Sequence, residues 1–480
     1  MKIEKTTTGI IIHDPTDEMK RKILRYFSLS NPTREFFIYT GNDSKLPLFG
    51  NHDTIYITSG ITGIKDEALQ KMLRGYKTID IPTPASVDIE MNMKPRSRFQ
   101  EDCINAMMHS NKSKLAIEAK GGSGKTFMAS YAISNMHLKP LIIAPTANLK
   151  NQWIENFENF GIERKDIATN IHDGKNKKLT VVTIASLGNE LRKDWKQLMK
   201  SIEDARYGIK VIDEAHLALK AIMRFDAICN IKHNWYLSAT LGRSSMEEDD
   251  ILNRMYLDAD RFVGNASYEE YQKEYINIYL QDIHYYPTRA MCQKYLRFGT
   301  KGLIKASYYN MLMHYQDGKP FLNNVIKMIK IAKNTETYDG RILILLPMLE
   351  IIDTVVAMMK RDPFFNGAKI GVINGKIPMR ERVESMECDY ILSTSASAGT
   401  GVDFKNLGCV VNFDQAASLI ITEQIVVRLR DRGKECWYFD IRDIVKYARS
   451  FEHWGRNRRM VLSYIPGVHP DLKKLPDIRC

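Results

Sequence analysis

The sequence predicts an α/β chain: two tandem parallel-sheet units, a small α+β unit before them and a helical connector between them. Three observations predict it. Short unbroken apolar runs alternate with helical stretches at Leu115–Ala119, Leu141–Ala144, Leu179–Ile184, Ile209–Ile212 and Trp235–Leu237. The same rhythm resumes at Ile342–Leu346, Ala368–Ile373, Tyr390–Ser393, Cys409–Phe413 and Cys436–Asp440. Apolar strands separated by helices make a parallel sheet covered on both faces. A glycine-rich turn, KGGSGKT, comes after the first of these runs and leads into a helical stretch. The length, 480 residues, accommodates roughly three domains of about 150 residues each.

Composition narrows the class. Hydrophobic residues are 44% and charged residues 26%, which excludes wholesale disorder, a collagen-like chain and a disulfide-dense scaffold. Lys and Arg number 69 against 57 Asp and Glu, a net charge of +12. That balance is compatible with a nucleic-acid partner without requiring one. The seven cysteines are odd in number and none forms a CxxC pair, so a reducing compartment is expected and a zinc ribbon is not. The opening MKIEKTTTGIIIHD does not resemble a signal peptide. The run Ile342–Leu349 is too short to cross a bilayer. A cytoplasmic protein with no membrane partner is the expectation.

Residues 1–88 read as the small mixed unit, an accessory domain and a candidate DNA-binding one. Strands are expected at Gly9–His13, Glu35–Thr40 and Thr54–Ser59, and helices at Asp17–Phe27 and Asp66–Arg74. Pro82, Pro84 and Pro95 punctuate a linker. The first parallel-sheet unit is expected over 89–250, the helical connector over 251–335, the second unit over 336–447, and a closing helix and tail over 448–480.

The strand–turn–helix context of KGGSGKT is that of a phosphate-binding loop. Glycines let backbone N–H groups wrap a phosphate, and the helix N-terminus adds its dipole. Gly121, Gly122, Ser123 and Gly124 form the wrap. Lys125 is placed to reach the β- and γ-phosphates of ATP, and Thr126 to hold Mg2+. The usual first glycine of the pattern is Ala119 here. The run Ile209–Ile212 ends in Asp213, Glu214, Ala215 and His216. Carboxylates at the C-terminal end of a buried parallel strand sit where ligands bind. Asp213 is expected on Mg2+ and Glu214 on the attacking water.

Phosphate loop, DEAH and then Ser238-Ala239-Thr240, in that order, resemble the superfamily 2 helicases. APTANLKNQW (Ala144–Trp153) and TIASL (Thr183–Leu187) resemble that family's nucleic-acid backbone motifs, and Gln100 sits where the family places a glutamine that reads adenine. INGKIPMRERVESM (Ile373–Met386) and STSASAGTGVDFKNL (Ser393–Leu407) resemble the family's later motifs. The resemblance implies two RecA-like domains with ATP and Mg2+ as cofactors. It places Pro145, Thr146, Ser186 and Thr400 on a nucleic-acid backbone, and Gly401 and Asp403 at the seam that holds the nucleotide.

EQIVVRLRDRGK (Glu423–Lys434) is similar to the last motif, QxxGRxxR, but departs from it. Gln424 and Arg428 match, Val427 replaces the glycine, and Asp431 stands at the final arginine position between Arg430 and Arg432. Arg428 with either Arg430 or Arg432 is expected to act as the arginine finger. Spacing from GTGVDFKNL through LIITEQIVVRLR is most similar to phage branch-migration and fork-remodelling helicases of the UvsW type. LRYFSLSNPTREFFIYTG resembles their small first domain, and YARSFEHWGRNRRMVLSY their closing helix.

The resemblance implies an ATP-dependent DNA helicase that unwinds or branch-migrates forked and junction DNA in replication, recombination or repair. Single- and double-stranded DNA would be its partners, with replication or recombination proteins as further candidates. A monomer would suffice, and the host cytoplasm is the location if the gene is a phage's. An RNA helicase, a duplex translocase that does not separate strands, and a passive nucleic-acid-binding module remain as alternatives. His284, Tyr285, Tyr286 and Phe298 are either a stacking wedge or core aromatics. The closing helix's arginines either meet duplex phosphates or face solvent.

Overall fold

The computed structural model describes every residue except 1, 28–37, 41–53, 58–66, 218, 240–258, 300–301, 336–339, 376, 400–403, 405, 416–418, 431–432 and 466. Most of the stretch resembling the small first domain therefore lies outside the described residues. The chain forms two compact units, Met1–Tyr268 and Glu269–Cys480. No helix among the described residues is long and apolar enough to cross a membrane.

The first unit opens with β1 (Lys2–Lys5), β2 (Ile10–His13), α1 (Asp17–Phe27), β3 (Ile38–Thr40), β4 (Thr54–Ile57), α2 (Glu67–Leu73) and β5 (Lys77–Thr78). These strands form a sheet in the order β3-β4-β2-β1-β5. Only the β1–β5 pairing is parallel. The isoleucines of β2 carry its apolar face into the core. The turn Thr6–Gly9 hooks this sheet onto residues 226–230, a helix end and loop of the same unit. Thr8 Oγ1 donates to the carbonyls of Asp226 (2.6 Å) and Cys229 (2.9 Å), and Thr7 N–H donates to Asn230 Oδ1 at 3.1 Å.

Then come α3 (Arg98–His109), β6 (Lys114–Glu118), α4 (Lys125–Met136), β7 (Pro140–Ala144), α5 (Ala147–Asn159), β8 (Ile167–Ala168), β9 (Leu179–Thr183), α6 (Ile184–Ala205), β10 (Ile209–Ile212), α7 (Leu219–Ala227), β11 (His233–Ser238) and β12 (Asp260–Val263). They build a seven-stranded sheet, β12-β6-β11-β10-β7-β9-β8, parallel throughout. Strand β10 is wholly buried, Lys210 included. Its ammonium is paired with Asp226, which also accepts the Tyr236 hydroxyl at 2.7 Å. A buried lysine needs such a partner.

The second unit contains β13 (Ile276–Tyr285), β14 (Phe298–Gly299), β15 (Gly302–Leu303), β16 (Arg341–Leu345), β17 (Ile370–Ile373), β18 (Tyr390–Ser393), β19 (Leu407–Asn412), β20 (Cys436–Val445), β21 (Lys473–Lys474) and β22 (Ile478–Arg479). Its main sheet runs β17-β18-β16-β19-β20-β13-β21, with β22 also on β13, again all parallel. Residues 251–335 are not purely helical. They supply β12 to the first sheet, and β13 pairs with β20 along its whole length. INIYLQDIHY is rich in β-branched and aromatic residues, which favour a strand. Helices Lys305–His314 and Lys319–Asn334 pack in this unit's core.

The closing helix, Arg449–Leu462, is clamped by charge. Arg458, fully buried, donates to Asp440 Oδ1 (2.6 Å) and to the carbonyls of Asp414 and Ile441 (3.0 Å each). Arg459 donates to Asp440 Oδ2 (2.7 Å) and Asp282 Oδ1 (2.6 Å), and Arg442 donates to both oxygens of Asp282. Arg456 pairs with Glu452 at 3.4 Å. Neither duplex contact nor solvation describes Arg458 and Arg459. They fasten the helix to β13 and β20.

One buried carboxyl in this unit has no such partner. Asp443 is 1% exposed and neither carboxylate oxygen accepts a hydrogen bond. Burial pushes its pKa up to about 8, with the Arg458 charge acting the other way. The unfolded chain's aspartates titrate near about 4. The folded state thus keeps a proton that the unfolded state has lost. Stability from that proton is complete below about pH 4 and is lost as pH rises through about 8. Asp443→Asn removes the titration. Its thermal midpoint, measured from about pH 5 to 8, is expected to gain steadily on the wild type; a constant difference would contradict this.

Candidate functional site

Every strand of a parallel sheet ends at the same edge, so the motifs after β6, β7, β9, β10 and β11 are brought together by topology alone. Along that edge the order is phosphate loop (β6), Ser238 (β11), acid pair (β10), Pro145–Thr146 (β7) and Ser186 (β9). At about 4.8 Å per strand, the loop stands about 10 Å to one side of the acid pair, and Thr146 and Ser186 about 5 and 10 Å to the other.

In the loop, Gly122 and Gly124 adopt left-handed backbone (φ 78° and 92°). Lys125 Nζ donates to the carbonyl of Ala119 at 2.8 Å, which curls its ammonium over the loop. Ser123 is buried and its hydroxyl oxygen has no hydrogen-bond partner. A lysine over positive-φ glycines and an orphaned buried hydroxyl fit a phosphate chain. Gln100, on the first turn of α3, is wired into the same loop. Its Oε1 accepts from Arg96 N–H (3.0 Å) and its Nε2 donates to the carbonyl of Ser123 (2.8 Å). Arg96 also donates to the carbonyl of Gly122 at 3.0 Å. The amide expected to read adenine thus also braces the phosphate loop.

Asp213 is 6% exposed. Its Oδ2 accepts the Trp153 indole N–H at 2.9 Å and its Oδ1 accepts the backbone N–H of Glu214 at 3.0 Å. Burial, then the charge of Glu214, push its pKa up to about 6, while Trp153 and the Lys125 charge pull it down. Glu214 has φ 47°, strained for a residue with a side chain. Its carboxylate lies 3.3 Å from His216, whose Nδ1 is hydrogen-bonded to Ser238 Oγ at 2.8 Å. Thr126, half-buried at the start of α4, and Asp213 carry oxygens suited to Mg2+.

Thr146 caps α5, its hydroxyl accepting from Leu149 N–H. Ser186 lies exposed in the first turn of α6, which Thr183 caps. Both hydroxyls thus stand at the N-termini of the helices that follow the neighbouring strands β7 and β9. In the second unit, Gln424 is buried, Arg428 half-buried and Arg430 exposed. Thr240, Thr400, Gly401, Asp403 and Arg432 lie outside the described residues. Of the aromatics between Asp282 and Gly299, Tyr285 is core and His284 bonds Asp477 at 3.2 Å, whereas Tyr286 and Phe298 are exposed. Trp153 is the site residue that sequence reasoning misses. On α5 it shares the apolar stripe with Ile154 and Phe157, so pattern alone marks it as core.

Two families match the chain. One described as type III restriction enzyme, res subunit, matches residues 92–243, and one described as helicase conserved C-terminal domain matches residues 322–432. A protein of Haloarcula marismortui that carries the name DNA 3'-5' helicase Rad25 is 26% identical over 218 residues, 44% of this chain and 34% of that protein. The general transcription and DNA repair factor IIH helicase/translocase subunit XPB of Encephalitozoon cuniculi is 22% identical over 262 residues, 49% of this chain and 38% of that one. The chain spans about a third of the length of these relatives. Among solved structures, Saccharomyces cerevisiae Dbp5 bound to RNA and ADP BeF3 superposes with a TM-score of 0.54 at 14% identity, covering 80% of this chain and 90% of that one. Both parallel sheets are RecA-like in fold.

A Cβ on Gly124 would stand 2.6 Å from Gln100 Nε2, on backbone at φ 92°. Gly124→Ala is expected to weaken binding of a fluorescent ATP analogue by about tenfold or more, given a left-handed penalty of about 1–2 kcal/mol. Unaltered affinity would show that the loop does not form the cradle.

Proposed function

We propose that this chain, which belongs to superfamily 2 of the helicases, is an ATP- and Mg2+-dependent motor that moves along DNA and remodels forked or junction DNA in replication, recombination or repair. The observation that carries this reading is the order of groups along one sheet edge. Phosphate loop, acid pair and the Thr146 and Ser186 hydroxyls follow one another along that edge, on β6, β10, β7 and β9, with Ser238 of β11 between the first two. DNA as the track is supported by the names of the Rad25 and XPB relatives. The forked or branched substrate is supported by the resemblance of the GTGVDFKNL and LIITEQIVVRLR segments to fork-remodelling helicases.

In this mechanism the loop amides and Lys125 hold the phosphates, and Thr126 and Asp213 would hold Mg2+, which would supply positive charge against that developing on the phosphates. Glu214 orients the attacking water and accepts its proton. The resemblance of the last motif gives Arg428, with Arg430 or Arg432, the role of supplying positive charge to the transferring phosphoryl group. Contacts to the DNA backbone carry no sequence information, which suits a motor that must travel.

ATP turnover measured in parallel with single-stranded DNA, plain duplex, a four-way DNA junction and single-stranded RNA tests the reading. Strongest stimulation by the junction is expected. Stimulation by RNA alone would make it an RNA remodeller, equal stimulation by plain duplex a translocase without strand separation, and no turnover a passive binder. Lys125→Ala should abolish turnover while DNA binding persists. Arg428→Ala should lower kcat by on the order of a thousandfold; unchanged turnover would remove it from the site.

A further inference from the structure

Helix α5 begins at the expected nucleic-acid face and ends against the nucleotide groups. Thr146 is its cap, and Trp153 lies seven residues on, two turns or about 10 Å along the axis. Trp153 is 1% exposed and stacks on Phe157 at 6.1 Å between ring centroids. A phenylalanine would keep an aromatic ring at this core position but would lack a donor. The indole is distinguished by its N–H, which points at Asp213 Oδ2 from 2.9 Å. One turn further, Asn156 Nδ2 donates to Ser130 Oγ at 3.1 Å, and Ser130 is a buried residue of α4, the helix that begins at the phosphate loop. One helix therefore grips both halves of the nucleotide site, the acid through Trp153 and the phosphate-loop helix through Asn156.

We infer that Trp153 is a positioning residue through which α5 sets the orientation of the Asp213 carboxylate, so that nucleic acid seated at the N-terminus of α5 is felt at the hydrolytic acid. This rests on the motor reading above. Asp213 has one oxygen fixed by its neighbour's backbone N–H and the other by Trp153. A small shift of α5 therefore moves the donor that fixes Oδ2 while Oδ1 stays held by the Glu214 N–H, and so turns the carboxylate. Outer partners of this kind are worth about 10–100-fold in metal affinity or activity.

The test compares the full chain with Trp153→Phe. Oligonucleotide affinity is read by anisotropy, ATP turnover with and without oligonucleotide, and the Mg2+ concentration for half-maximal turnover. A folded W153F is expected to bind oligonucleotide normally, to lose about tenfold or more of the stimulated-to-basal ratio, and to need more Mg2+. A folded W153F that keeps the wild-type ratio and Mg2+ dependence would overturn the coupling alone. A wild-type chain that no nucleic acid stimulates would overturn the motor reading and the coupling with it. Should W153F not fold, the indole N–H resonances of the five tryptophans in an isotope-labelled chain supply the answer. The resonance that Asp213→Ala displaces belongs to Trp153; it is expected to shift when oligonucleotide is added to the wild type, and a resonance that does not respond would overturn the link.

Discussion

A parallel strand can leave its sheet toward solvent and ligand at only one end, and in this chain both main sheets are parallel throughout. That single constraint places Lys125, Asp213, Thr146 and Ser186 along one edge although they are far apart in sequence. It also explains why the strands themselves are so apolar. Both faces are covered by helices, so a polar residue inside a strand must bring its own partner, as Lys210 does with Asp226.

The same demand governs the second unit on a larger scale. Asp282 and Asp440 lie inside strands, and three arginines converge on them. Removing one member would strand the others in a low-dielectric interior, so the cluster is all-or-nothing. It fixes where the closing helix sits. Asp443, one residue beyond Arg442 on the same strand, shows the alternative solution: a carboxyl that stays neutral because no cation reaches it closely.

Much of this is legible in the residues. Ile209–Ile212, Tyr390–Ser393 and Asp17–Phe27 fall where periodicity puts them, because an apolar run bounded by polar residues admits few readings. The phosphate loop and the acid pair are local in sequence and equally plain. What escapes is non-local. Strand β13 hides inside a stretch that reads as a helical connector, since its mixed buried and half-buried residues lack the unbroken apolar run of strands such as β7, β10 and β19. Arg458 and Arg459 read as surface charge, because nothing in a helix reveals that a strand aspartate faces it. Trp153 reads as core, which it is; its hydrogen bond depends on β10 lying beside β7, a fact of topology. Gln100 reads as a group with a partner outside the chain, while its contacts inside the chain depend on how the loop closes.

The hook at Thr6–Gly9 has a mechanical consequence. Thr8 seizes the carbonyl of Asp226, whose side chain holds Lys210, and three residues past Lys210 stands Asp213. Tension on the amino-terminal sheet is therefore not dissipated in a slack tether. It is delivered through a short, buried chain of polar contacts into the strand that carries the acid pair.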